Sequence, residues 1–138
     1  MPEPMTARQR MLTAIRNQIP DRVPVAHDIS NMVPTRLTGR GYFAVYIHED
    51  PPLWQAYIDA VKYYGIDGWF TYGGVAFTTQ NVSSSERWLH RDEEKWVKEV
   101  TIHTPKGDLT QQILYSCRQP PFLVKKLVAD IDRDWPAF

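Results

Sequence analysis

The stretch from Pro51 to Gly74, PPLWQAYIDAVKYYGIDGWFTYGG, constrains the chain most, because it spells a helix, a stop and a buried strand in one run. Pro51 and Pro52 suit a first helical turn, where a missing backbone N–H costs nothing. Leu53, Trp54, Tyr57, Ile58, Ala60, Val61 and Tyr64 recur at helical spacing and form a broad apolar stripe. Gln55, Asp59 and Lys62 take the opposite face, with Asp59 and Lys62 three apart as a surface pair. Gly65 stands where a left-handed C-cap ends a helix. Ile66, Trp69, Phe70 and Tyr72 then predict a short strand covered on both faces, closed by Gly73 and Gly74.

Upstream, Thr6 with Gln9 three residues on is a capping-box pattern, and it opens a helix over residues 6–17. Met11, Leu12 and Ile15 give that helix its apolar stripe, leaving Arg8, Arg10 and Arg16 for solvent. Pro20 and Pro24 forbid its continuation. Val23 to Ala26 predicts a strand, with Pro24 near its start, where proline is tolerated. His27 and Asp28 stand at its end. Asn31 to Arg40 is a connection with one helical turn around Pro34 to Leu37, broken by Gly39 and Gly41. Strand, connection, helix and strand over residues 23–74 make a βαβ unit with parallel strands and a right-handed crossover.

Downstream, Thr78 to Ser85 reads as a polar loop. Val100 and Ile102 then alternate with Thr101 and His103, and Leu109, Ile113 and Tyr115 share a face beyond the turn cluster Pro105-Lys106-Gly107-Asp108. This predicts a β-hairpin over residues 96–115. Phe122, Leu123, Leu127 and Val128, followed by Asp130 to Trp135, predict a C-terminal helical segment over residues 121–138.

The charge balance excludes some partners. Sixteen basic and sixteen acidic residues cancel, so no bulk field draws the chain to nucleic acid or to an anionic membrane. Trp88 and Trp96 lie among Lys95, Lys98 and Lys106, a pattern that could stack and bind bases. Glu93, Glu94, Glu99 and Asp108 neutralise those lysines, which argues against it. The single cysteine, Cys117, permits no internal disulfide and fits a reducing compartment. No apolar run approaches the roughly 20 residues of a membrane span, and MPEPMTARQR lacks an apolar signal core. The sequence reads as one soluble cytoplasmic domain of 138 residues.

Several stretches taken in order resemble one family. TARQRMLTAIRNQ runs into PDRVPV and an RLTG connection; then come PLWQAYIDAVKYYGIDG, the TPKGDL turn and VKKLVADIDRDW. Together they resemble the N-terminal part of the uroporphyrinogen decarboxylase superfamily, and the resemblance covers nearly the whole chain. That superfamily includes corrinoid-linked methyltransferases, which move methyl groups between cobalamin-type cofactors and thiols. The resemblance implies a (β/α)8 TIM barrel with active-site residues at the C-terminal ends of its strands. A barrel needs about 250 residues, so this chain is expected to be its incomplete N-terminal part with a β-hairpin excursion: a fragment, a truncated product or a natural half.

The same resemblance sorts the candidate site residues. His27 and Asp28 fall at the site-facing end of the first strand, where His27 would bind a substrate anion or relay a proton; as ordinary strand-end residues they would cap the next turn. Arg36 and Arg40 form an Arg-x-x-Gly-Arg pattern like the arginine pair with which the decarboxylases bind substrate carboxylates, although it lies farther from Val25 than the family pattern has it. The decarboxylases also place an aspartate just after the second strand. Here that position reads Thr71-Tyr72-Gly73-Gly74, which argues against porphyrinogen decarboxylation and leaves Tyr72 as a substrate contact. Asp67 lies at the other end of that strand and reads as a cap for the turn after Gly65.

The methyltransferases hold zinc with a His and cysteines of the C-terminal half. No such set is present here, so no cofactor is expected within this chain, while zinc and a corrinoid partner belong to a full-length enzyme. The leading expectation is a methyltransferase-type fragment, inactive alone, acting on a small-molecule substrate or a corrinoid protein. The alternatives are a decarboxylase of a porphyrinogen-like substrate and a non-catalytic α+β partner-binding module. A two-strand parallel sheet with one apolar helix leaves open edges and an apolar face. The polypeptide alone should therefore form homo-oligomers, aggregate or need a C-terminal half, and size-exclusion chromatography with a thermal melt checks this. A sharp monomer peak with a cooperative melt contradicts it.

Overall fold

The computed structural model of the chain describes residues 4–68 and 79–137. In chain order these form α1 (Ala7–Ile15), α2 (Met32–Leu37), α3 (Tyr42–Tyr46), α4 (Leu53–Tyr64), β1 (Ser83–Arg91), β2 (Lys95–Thr104), β3 (Gly107–Ser116), β4 (Phe122–Lys125), α5 (Ile131–Asp134) and a closing 3-10 turn, Trp135–Ala137. They divide into two units, residues 4–40 with 51–68 and residues 41–50 with 79–137.

In the first unit, the capping box at the start of α1 is formed. Thr6 Oγ1 accepts the Gln9 N–H at 3.2 Å, and the Gln9 side chain accepts the Thr6 N–H at 2.9 Å. Helix α4 begins two residues later than the prolines suggest: Pro52 is its extended N-cap, and its carbonyl takes the Gln55 and Ala56 N–H groups at 3.0 and 3.1 Å. Gly65 ends α4 in the left-handed region, with φ 63°. Helix α2 packs on α4. Ile29, Tyr57 and Ala60 form the centre of this core, flanked by Val33, Leu37, Val61 and Ile66.

The parallel βαβ pair expected over residues 23–74 is not formed among the described residues. Val23 to Ala26 carries no ladder, and Ile66, Asp67 and Gly68 are not strand. Pro24 has no donor to give a ladder, and the Asp67 side chain supplies an acceptor for the Val25 N–H where a strand would offer a backbone carbonyl. Trp69 to Gly74, the rest of the expected strand, lies outside the described residues.

The sheet of the second unit is antiparallel throughout, in the order β1-β2-β3-β4. The expected hairpin is its centre: Pro105-Lys106 turns between Thr104 and Gly107, and the pairing runs to Lys95 opposite Ser116. Two expectations are corrected beside it. The polar loop ends early, because β1 starts at Ser83; serine hydroxyls find cross-strand partners, as Ser85 does with His103. The helix expected over residues 121–138 opens instead with strand β4, since Pro120-Pro121 hold the chain extended and a short apolar run reads equally as strand. Only α5 and the 3-10 turn are helical there. Asp130 caps α5, its side chain accepting the N–H groups of Asp132 and Arg133 at 3.1 Å each. Helix α3 was not expected, because the five residues YFAVY are too few to show a period. The α/β class thus holds in mixed form, with five helices and one four-stranded antiparallel sheet among the described residues.

Alternation gives this sheet two unlike faces. On one, Trp96 meets Trp88 at 5.4 Å and Phe43 of α3 at 5.5 Å between ring centroids, and Trp88 meets Tyr115 at 5.6 Å. The Arg91 guanidinium sits 4.5 Å from the Trp88 ring centre and 4.8 Å from that of Trp96. On the other face Glu99 is buried between Arg87, at 2.7 Å, and the Gln112 amide, at 3.0 Å.

Gly68 gives the sharpest local test. Its φ is +39°, and a Cβ built there would lie 2.5 and 2.8 Å from the two methyls of Val61 on α4. Val61 is β-branched and stiff, so it cannot turn aside. Gly68→Ala should lower unfolding stability by about 1–3 kcal/mol, and adding Val61→Ala should recover part of the loss from the clash. Urea denaturation of both variants checks this.

Candidate functional site

Helix α1 turns Arg10 inward. The expectation that it is solvated is corrected: only 5% of the residue is exposed. Its planar fork explains the burial, because it has partners on every side. Nε and Nη2 donate to the two oxygens of Asp21 at 2.6 and 2.9 Å, a bidentate pair. Nη2 also donates to the Met5 carbonyl at 2.5 Å, and Nη1 donates to Asp67 Oδ1. Asp21 is held in turn by the Met5 and Arg22 N–H groups, each at 2.9 Å.

Asp67 is where this network closes. It is buried and does not serve as the simple turn cap read from the sequence. Oδ2 accepts Arg22 Nη1 at 2.7 Å and the Val25 N–H at 2.8 Å, and Oδ1 accepts Arg22 Nη2 at 3.1 Å besides Arg10. The Asp67 N–H donates to the Val25 carbonyl at 2.7 Å, so side chain and main chain together clasp Val25 from both sides. Burial works against ionisation of Asp67, but the Val25 N–H and the two guanidinium groups outweigh it and hold the carboxyl below its usual range. The Arg10 hydrogen bonds hold Asp21 well below that range, and the Asp21 bonds in turn raise Arg10. With every oxygen partnered, the network has no acceptor left for a substrate. It fixes where α1, residues 21–25 and residues 65–68 stand.

That placement presents the sequence-predicted residues. His27, two residues past Val25, is exposed and borders an open hollow of about 540 Å³, with Met11, Ala14, Ile15 and Pro24 on its walls. Asp28 is exposed and its Oδ1 accepts the Ser30 N–H at 2.7 Å, a turn bond within its own loop. Burial, with the Asp28 charge adding to it, raises the Tyr57 hydroxyl above its usual pKa. Arg36 lies exposed in the last turn of α2; Arg40 is exposed past it, its N–H donating to Thr38 Oγ1 at 3.0 Å. Among the described residues, no side-chain hydrogen bond or ion pair draws His27, Asp28, Arg36 and Arg40 together. Tyr72 lies outside the described residues.

In the sequence Arg10 stands between Gln9 and Met11 inside α1, and Asp21 follows Pro20 beyond the helix. Nothing local linked either to Asp67, which is 57 residues from Arg10. Among the described residues no three His, Cys, Asp or Glu side chains converge to hold a metal ion, and no helix is long and apolar enough to cross a membrane. Comparison with protein-family models, curated proteins and solved structures finds no match.

Asp67→Ala should strand the Arg10 and Arg22 charges and lower unfolding stability by about 3 kcal/mol or more. The pH response follows from the sign of the shift. A carboxyl depressed in the folded state binds fewer protons there than in the unfolded chain, so its stabilisation is complete above the ordinary aspartate value of about 4. It is lost as pH falls from there toward the depressed folded value. Urea midpoints measured from pH 5 to pH 2 should therefore fall more steeply for the native chain than for Asp67→Ala.

Proposed function

We propose that the chain is the N-terminal part of a uroporphyrinogen decarboxylase-like (β/α)8 enzyme of the corrinoid-linked methyltransferase kind, and transfers no methyl group without the remainder of the barrel. The observation that carries the reading is the Asp67 network. It joins three of the four stretches on which the first half of the resemblance rests: the TARQRM helix, DRVPV and GIDG. In a barrel, bonds at the starts of neighbouring strands belong to the face that maintains stability, and chemistry sits at the opposite ends. In that barrel the Asp67–Val25 clasp would stand on the stability face, and His27 and Asp28 would follow toward the active face.

In this reading His27 binds an anionic group or relays a proton, and Arg36 and Arg40 hold carboxylates. Thr71-Tyr72-Gly73-Gly74 in place of a carboxylate-bearing strand end favours methyl transfer over porphyrinogen decarboxylation. The zinc that the methyltransferase reading implies does not fit the residues described here, with Cys117 the one cysteine of the chain. In this reading its ligands would come from the C-terminal half of a barrel, and no step of this chain's chemistry depends on it. Ile15, Ile19 and Val23 are exposed to 72, 94 and 80%, an apolar set that needs a cover. The remaining barrel would supply one. The same side chains support the second reading, a non-catalytic module that binds a partner through them.

The test is to read the gene beyond the Phe138 codon and assay its whole product for transfer of a methyl group from a methylated corrinoid to a thiol. A continuing frame with His-x-Cys and a later cysteine, and methylation that drops about tenfold or more in His27→Ala, is the expected result. A stop codon with no companion frame contradicts it and favours the binding module.

A further inference from the structure

On the face of the sheet opposite the tryptophans, three strands bring three reactive side chains into line. Ser85 of β1 lies diagonally across from His103 of β2, and His103 pairs directly with Asp108 of β3. Ser85 Oγ is 2.9 Å from His103 Nε2, and His103 Nδ1 is 3.0 Å from Asp108 Oδ1. The Asp108 carboxylate lies at ion-pair distance from Nδ1, where its charge favours the tautomer that carries the imidazole proton on that nitrogen. Nε2 is then left to accept the proton of Ser85. Order, atoms and distances are those of a serine nucleophile with its base and the group that orients the base.

We propose that Ser85, His103 and Asp108 form an acyl-transfer site that cleaves small activated esters, independent of any barrel chemistry. Ser85 Oγ attacks the ester carbonyl carbon as its proton passes to His103 Nε2. The tetrahedral intermediate collapses, the carbon–oxygen bond to the leaving group breaks, and that oxygen takes the proton from Nε2. Water then attacks the acyl-serine, giving its proton to the same nitrogen. The acid departs and Ser85 Oγ recovers its proton. Asp108 touches no reacting atom and is a positioning residue. Backbone donors for the charged intermediate lie close by. Strand β1 is an edge of the sheet, so every second N–H along it points away from the ladder. Either Ser85 itself or both its neighbours therefore offer one. The side chains of His103 and Asp108 are 43 and 59% exposed, which favours a small, unhindered acyl group that needs no enclosing pocket.

The test uses the full chain with p-nitrophenyl acetate, following nitrophenolate release and mapping acetylated peptides by mass spectrometry. Expected are turnover above buffer containing equimolar imidazole, and acetyl trapped on Ser85. Ser85→Ala and His103→Ala should each lower turnover about a hundredfold. Asp108→Asn should lower it less, and Asp108→Glu should restore part of that loss. Ser84→Ala, on the other face, should leave it unchanged. Because adduct mapping is done on the native chain, a variant that fails to fold does not decide the matter. Acetyl confined to lysines, turnover equal to the imidazole control, or turnover unchanged in a folded Ser85→Ala protein each overturns the proposal.

Discussion

The charge on Asp67 must be compensated, because its side chain has almost no access to water, and a buried carboxylate is stable only when paired and hydrogen-bonded. Arg10 supplies one compensation from α1, Arg22 a second, and the Val25 N–H a third. Each of those partners is consequently fixed in place: the N-terminal helix, the extended segment after it, and the end of the turn that follows α4. The apolar core of Ile29, Tyr57 and Ala60 is small. It could not by itself set the direction in which residues 21–25 run, since apolar burial is non-directional. The ion network gives direction where the core gives only cohesion.

What the sequence made legible follows from locality. The capping box at Thr6 and the left-handed cap at Gly65 depend on neighbours within a few positions and are found where they were read; the turn read over Pro105 to Asp108 is there too, tightened to Pro105-Lys106. Residues whose role depends on distant partners were misread. Arg10 looked like a helix-surface arginine because the aspartates that bury it are 11 and 57 residues away. Val23 to Ala26 looked like strand because its composition is that of one, but its pairing is decided by Asp67. Phe122 to Lys125 could be read as helix or strand, and only the open edge of β3 decides it. Of the candidate site, His27 and Asp28 were read as the end of a strand that does not form, and the assembly of Ser85, His103 and Asp108 needed the register of three strands.

The second unit obeys a different logic. Its sheet is half aromatic and half polar, and the polar half is not simply a solvated face. Glu99 is buried there by side chains rather than by backbone, with Arg87 and Gln112 closing over it. Ser85, His103 and Asp108 extend the same face, so cross-strand polar pairs run from Glu99 and Gln112 through Thr101 and Thr110 to His103 and Asp108. Such pairs add little stability one by one, but their geometry is set by the sheet register. A register error of one residue would move all of them to the aromatic face.

The account's central claim is that the Asp67 clasp, and not a strand ladder, holds the segment that carries His27. Native-state hydrogen exchange of the Val25 amide tests this most directly, because that N–H is bonded to the Asp67 side chain. The account predicts that the Val25 amide in the native chain opens only with unfolding of the whole unit, as the innermost amides of α4 do. It predicts that Asp67→Ala removes this protection while α4 keeps its own. A Val25 amide that exchanges in the native chain as fast as an unstructured peptide, or that stays protected in Asp67→Ala, would contradict it.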